Sequence, residues 1–274
     1  MNVTIGMIVL NEEEYLEKNL KQHYEHADRI VIVEGADRNY PAHSVTNDGL
    51  STDKTQQIIQ DFPDPDRKIK YVPYGWTKSN TEQAKCELRN AYLDHTPRGL
   101  LIAVDADEFY KHEDLEEMTI KARSSPNIYA WLYPQIHLWK THEQFITGGY
   151  YDVPHIRFWQ IQPGDRYTVN HNHPYRRNRS LRTFGISAVY RQIVQKDEGY
   201  EFSGPVCYHF GFCKKAENIS DKNTYYTNRG ESSTRPGTTK DRAAWFADTV
   251  DGLLVHKYSG TLPEVFTSVV PSQP

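Results

Sequence analysis

A chain of 274 residues is long enough for one substantial α/β core, or a core with a smaller appended lobe. Hydrophobic residues make up 38% and charged residues 25%, as in ordinary globular proteins; a net charge of −4, from 32 Lys+Arg against 36 Asp+Glu, argues against nucleic acid as the main partner. Cys86, Cys207 and Cys213 are too few for a disulfide framework and show no Cys-x-x-Cys spacing, so free thiols and a cytoplasmic location are expected.

The start, Met1-Asn2-Val3-Thr4-Ile5, lacks a basic lead and a cleavage pattern and reads as the beginning of a strand. Val3 to Leu10 is a nearly continuous apolar run, suited to a strand buried on both faces. Asn11 follows as an N-cap, Glu12, Glu13 and Glu14 suit a helix N-terminus, and the helix should run to about Tyr24. Arg29 to Glu34 is a second buried strand. The polar loop Gly35 to Leu50 is longer than an ordinary connection, and such loops are often functional. Ser51-Thr52-Asp53 supplies capping chemistry for a helix from Thr55 to Phe62, which Pro63 and Pro65 end. Ile69 to Val72 is a third strand, Thr81 to about His95 a third helix, and Gly99 to Val104 a fourth strand that Asp105 leaves.

This alternation implies a mainly parallel sheet with helices on both faces, whose ligands bind at the carboxyl ends of the strands. Asn11, Glu34 and Asp105 all fall at such ends. After Asp114, aromatic and His residues become dense and alternation replaces long runs: Tyr129 to Leu138, Ile156 to Gln162 and Phe184 to Val194 read as mixed or antiparallel strands. Thr239 to Tyr258 has helical spacing, and Asn228 to Thr239 reads as a flexible loop or lid. The expected organisation is residues 1–112, 113–215 and 216–274. No apolar run approaches the length of a membrane span.

The sharpest feature is Val104-Asp105-Ala106-Asp107-Glu108. Acids do not follow a buried strand unless they leave the core, because unpaired buried carboxylates are costly. Acids at i and i+2 in extended chain share a side, where they can hold one hard cation. The alternative is a solvated acidic turn capping the next helix.

These segments resemble the nucleotide-binding core of GT-A-fold glycosyltransferases of the family-two-like kind. The resemblance rests on Met7-Ile8-Val9-Leu10-Asn11-Glu12, Ile30 to Glu34, Ser51-Thr52-Asp53-Lys54-Thr55, Lys85-Cys86-Glu87-Leu88-Arg89-Asn90 and the Asp-x-Asp of Asp105 and Asp107, and covers about residues 3–112. It implies a nucleotide-sugar donor, with UDP the expected nucleotide, a Mn²⁺ or Mg²⁺ cofactor, and a glycan, lipid-linked or protein-linked acceptor. Leu10, Asn11, Glu34, Lys85, Arg89, Asp105 and Ala106 would face the nucleotide. Glu34 could equally order its loop, Asp53 could be a plain cap, and Arg89 could pair with Glu82 or Glu87 on the surface. Asp105, Asp107 and His209, a polar ring within the apolar segment Val206 to Gly211, would hold the metal; a buried His bonded to backbone is the alternative.

The Asn170-His171-Asn172-His173 loop suits sugar or acceptor binding, with His171 the leading candidate, and the basic run Arg176, Arg177, Arg179 and Arg182 suits a phosphate. Trp131, Trp139 and Trp159 could stack on sugars or fill the core. If configuration inverts, an acid must serve as base: Asp152 is preferred over Asp165, Asp197, Glu198 and Glu201, because its aromatic stretch could desolvate it. The family's Asp-Gly-Ser turn and the Gln-x-x-Arg-Trp signature of processive synthases are absent. Rival readings are a sugar nucleotidyltransferase, disfavoured by the acidic, glycine-free loop after the first strand, a phosphatase, and a non-catalytic carbohydrate-binding protein.

Overall fold

The computed structural model describes residues 1–81, 83–125, 128–152, 154–168, 174, 185–188, 192–196, 199–230 and 254–267. The N-terminal half alternates as expected: β1 (Asn2–Val9), α1 (Leu16–Tyr24), β2 (Arg29–Ala36), α2 (Thr55–Asp61), β3 (Ile69–Trp76), α3 (Gln83–Leu93) and β4 (Gly99–Ala103). There follow β5 (Glu108–Phe109), α4 (His112–Ser124), β6 (Ile128–Tyr133), β7 (Gln135–Trp139), β8 (Thr141–Thr147), β9 (His155–Ile161), β10 (Gly185–Ala188), β11 (Gln192–Lys196), β12 (Gly199–Ser203), β13 (Cys207–Phe212), α5 (Ala216–Asn228), β14 (Leu254–Lys257) and α6 (Glu264–Thr267).

Among the described residues, β10-β6-β9-β4-β1-β2-β3 form one sheet, β14-β8-β7-β13-β5 a second, and β11 and β12 a small ribbon. Strands β4, β1, β2 and β3 are mutually parallel, and β9 runs antiparallel between β4 and β6. The α/β architecture, with a mixed second half, is as the sequence implies. Alternation along the buried strands sends side chains to opposite faces. Val3, Ile5 and Met7 of β1 meet Leu16 and Leu20 of α1 and Leu115 and Met118 of α4. Val31 and Val33 of β2 meet Cys86, Leu88 and Tyr92 of α3 on the other side. The second sheet packs its own aromatic cluster, in which Phe210 stacks on Phe266 at 4.3 Å.

Three local expectations need correction. Asn11 does not cap α1: its φ is +55°, and its side chain accepts from Thr52 N at 2.9 Å and donates to Ser44 O at 2.6 Å, tying the first loop to the long second one. Tyr129 to Leu138 is two strands belonging to different sheets, divided at Pro134, which cannot donate to a ladder. The helix expected to Tyr258 is replaced at its end by β14, which pairs antiparallel with β8 through Leu254 to Lys257; residues 239–253 lie outside the described residues. Long-range pairing outweighs helical spacing there.

Candidate active site

The carboxyl ends of β1, β2 and β4 open into a cleft of ≈ 150 Å³, closed on one side by α3 and on another by β13 and α5. Leu10 and Glu12 reach it from β1, Gly35 and Asp37 from β2, and Asp105 and Asp107 from β4. Lys85 and Leu88 of α3, His209 of β13, and Lys222, Tyr225 and Tyr226 of α5 complete the wall. This is where a parallel α/β sheet places its ligands.

The structure brings Asp107 and His209 together. Pairing of β13 with β5 sets His209 opposite Glu108, and Phe210 N donates to Asp107 O at 2.8 Å. His209 Nε2 then stands 3.6 Å from Asp107 Oδ1. His209 Nδ1 is 2.9 Å from Nδ1 of His137 on the adjacent β7, which orients the ring. Burial pushes the His209 imidazole down to about 4 against the pull of Asp107, so it is neutral near pH 7. Burial would raise Asp107, but Lys214 and His209 outweigh it and hold its carboxyl well below the usual range.

Asp105 is held differently. Its Oδ2 accepts from Arg157 Nη2 at 3.3 Å and its Oδ1 lies 3.7 Å from Arg89 Nη2. Withdrawal from water would raise it, yet Arg157 and Arg89 keep it ionised. Arg89 is thus a buried partner of Asp105, packed over the Tyr167 ring at 5.7 Å, and not a surface residue. Arg157 also pairs with the fully buried Glu108, which accepts from Gln135 Nε2 at 2.7 Å and from Asp105 N at 3.1 Å. Glu108 therefore fixes the turn that aims both acids of the Asp-x-Asp. Ala106 faces the core and not the cleft.

Glu34 takes the loop-ordering alternative. It is fully buried, accepts from Ser51 N at 2.7 Å and from the Tyr71 hydroxyl, and does not line the cleft. The β2 carboxylate that does is Asp37, which accepts from Asn39 N at 2.9 Å and from the Tyr225 hydroxyl at 3.3 Å. Asp53 stands one residue before the N-cap of α2, accepting from Thr55 N at 2.9 Å and from Glu13 N at 3.0 Å. Trp131 is fully buried in the main core, and Trp139 and Trp159 are equally enclosed, so none presents a face to a sugar. His171, His173, Arg176, Arg177, Arg179, Arg182, Asp197, Glu198 and residues 231–239 of the lid segment lie outside the described residues. Asp152 is exposed, contrary to the expected desolvation, and accepts from Gly148 N at 2.9 Å; its neighbour Tyr151 packs edge-on against the His137 ring. Asp165 is buried and accepts from Gln162 N.

Two lysines at the cleft escaped the sequence reading. Lys214 Nζ lies 2.8 Å from Asp107 Oδ2 and 2.6 Å from Glu12 Oε2, with its side chain only 7% exposed. Lys222 faces the cleft from α5 without a hydrogen-bond or ion-pair partner among the described residues. A doublet of lysines beyond the His-bearing strand was the available signal for the first. Helical position on α5 carries no such signal for the second.

No family model and no curated protein matches the sequence. Among solved structures, the mannosyltransferase PcManGT from Pyrobaculum calidifontis, in complex with GDP-Man and Mn²⁺, aligns over 89% of this chain and 68% of its own, at 14% identity and a TM-score of 0.48. S. aureus TarS 1-349 in complex with UDP aligns over 83% and 65%, at 13% identity and a TM-score of 0.42. Another structure of TarS 1-349 aligns over 51% of this chain, at 17% identity and a TM-score of 0.34, and there the chain spans only 36% of the other's length. Likeness at this level carries no residue-by-residue correspondence. Among the described residues, no helix is long and apolar enough to cross a membrane.

Proposed function

We propose that the chain is a GT-A-type glycosyltransferase that moves a sugar from a nucleoside-diphosphate donor, with UDP the first candidate, to a hydroxyl acceptor. The observation that carries this reading is the meeting of Asp107 and His209 at the carboxyl end of a parallel sheet, across a cleft from Lys85 and Lys222. Lys85 has its ammonium over the Tyr226 ring at 5.9 Å and, like Lys222, no ion-pair partner among the described residues. Two cations that face a cleft without a direct ion pair suit the oxygens of a diphosphate.

A divalent ion fits Asp107 and His209, a carboxylate and a neutral imidazole 3.6 Å apart. Among the described residues no three His, Cys, Asp or Glu side chains gather as a ligand set, so diphosphate oxygens and water would complete the shell, as Mg²⁺ sites often do. Bound there, the ion would neutralise the diphosphate as it leaves the sugar. Asp105, ionised and held by two arginines, serves better as an acceptor of donor hydroxyls than as a direct ligand. Asp37, Tyr40 and Tyr225 offer an acceptor carboxylate beside stacked rings 4.4 Å apart for the nucleoside end. If the reaction inverts, Asp152 is the described acid kept as candidate base, because Tyr151 leads from it to the His137–His209 pair.

The test is a thermal-shift panel of UDP, GDP, dTDP and CMP, each with and without Mn²⁺, on wild type and Asp107→Ala. One nucleotide should stabilise the protein only with metal, and the variant should lose that effect. No stabilisation by any nucleotide at millimolar concentration would overturn the reading in favour of a non-catalytic binding protein.

A further inference from the structure

Glu12 follows β1 and Asp107 follows β4, and the Lys214 ammonium lies between them. Lys214 Nζ is 2.7 Å from Glu12 Oε1, 2.6 Å from Oε2, and 2.8 Å from Asp107 Oδ2. The side chain of Asp107 is 4% exposed, that of Lys214 7% and that of Glu12 17%. Without that charge, two carboxylates largely withdrawn from water would face one another, an arrangement that demands a cation or a proton.

Lys214 is also firmly placed. The next residue donates its backbone N–H to Glu14 Oε1 at 2.9 Å and its ammonium to Glu13 Oε1 at 2.6 Å, and Asn218 Nδ2 donates to Glu14 at 2.7 Å. The three consecutive acids after β1 therefore clamp the segment between β13 and α5, and hold the Lys214 stem against the cleft.

We propose that Lys214 is a built-in counter-cation that occupies the cation position at Asp107 and must withdraw from that carboxylate before a divalent ion binds there. The inference rests on the donor-site reading above. Asp107 Oδ2 is held by Lys214 while Oδ1 faces His209, so a doubly charged ion on the Asp107–His209 pair would lie close to the ammonium and be repelled by it. Glu12 is the partner that keeps the ammonium when Asp107 is given up, so the lysine stays paired in both states. The consequence is that the free protein binds metal weakly, and that metal and the anionic donor enter together, the donor supplying the negative charge that Lys214 otherwise opposes.

The experiment is direct Mn²⁺ binding to the nucleotide-free protein, read from the electron paramagnetic resonance signal of free Mn²⁺, with no turnover involved. Lys214→Met should bind Mn²⁺ roughly ten-fold or more tighter than wild type, since removing one adjacent charge is worth at least that much near a protein surface. Lys214→Arg, which keeps the charge, should bind as weakly as wild type. Glu12→Gln, which removes the alternative partner, should bind Mn²⁺ more weakly than wild type. Equal or weaker Mn²⁺ binding by Lys214→Met, with its fold verified by circular dichroism, would overturn the inference. If Lys214→Met does not fold, the Glu12→Gln result decides: affinity equal to or above wild type overturns it. The donor-site reading fails separately, by loss of any Asp107-dependent nucleotide response in wild type.

Discussion

Gly211 stands directly behind the His209 ring: a Cβ built on it would lie 2.5 Å from His209 Cε1 and 2.8 Å from Nε2, and 3.3 Å from Asp107 Oδ2. No side chain fits there unless the imidazole moves. Gly211→Ala should therefore push His209 off Asp107, at a cost to stability of about 1–3 kcal/mol typical of overpacking. The expected outcome is a folded protein that has lost metal-dependent stabilisation by nucleotide in the thermal-shift assay. A variant that keeps the full nucleotide and Mn²⁺ response would remove His209 from the metal-binding pair.

Much of this site could be read from the sequence because burial dictated it. Val3 to Leu10, Arg29 to Glu34 and Gly99 to Val104 are strand-length runs rich in branched side chains, and Asp105, which follows the last of them, leaves the core for the cleft. His209 was legible for the related reason that a ring with two polar nitrogens sits in an apolar strand. Lys214 and Arg157 were not legible, since each acquires its role only from acids 107, 202, 52 or 49 positions away in the chain. Glu34 and Asp37 were exchanged because periodicity places a strand end only to within a few residues, and here β2 runs on to Ala36. Trp131 could not be assigned from its identity, since a large aromatic suits both a sugar and a core.

Arg157 and Glu108 form an internal pair whose value lies in aiming Asp105. Glu108 is fully buried, so Arg157→Met leaves a charge without its main partner and should destabilise by about 3–5 kcal/mol. Glu108→Gln leaves the guanidinium paired with Asp105 alone. The double variant should lose less than the sum of the two single changes, by at least about 1 kcal/mol. Urea unfolding of all four proteins measures this coupling, and strict additivity would show that the pair does not act as a unit.

Trp131 separates a packing role from a binding role. In the core beside Phe158 and Tyr133, its replacement by Ala should cost about 3–5 kcal/mol. The midpoint of urea unfolding should fall accordingly, while the nucleotide response of the protein that remains folded is preserved. Unchanged stability with altered sugar affinity would restore the stacking role.

His23 gives the pH dependence a defined source. The ring is fully buried on α1, with Nδ1 2.9 Å from the Asn19 carbonyl, which can only accept; Nδ1 therefore carries the proton. Among the described residues Nε2 has no hydrogen-bond partner, and its protonation would place a charge beside the perpendicular Tyr110 ring. Burial lowers the group from an ordinary 6.5 to about 4. Because the folded pKa is the lower of the two, the unfolded chain binds the extra proton first as pH falls. The stability associated with His23 is fully present above pH 6.5, declines from there to about pH 4, and changes no further below that. The total is about 3 kcal/mol. Asp114, raised to about 6 by burial, works in the opposite direction over an overlapping range, so the slope of the wild type alone is not diagnostic. His23→Gln keeps a donor for Asn19 and cannot titrate. The difference in unfolding free energy between wild type and His23→Gln, measured by urea at several pH values from 4 to 8, should shift against the wild type by up to about 1.4 kcal/mol per pH unit within that window. A difference that stays constant across the range would mean that His23 is protonated as readily in the folded protein as in the unfolded chain.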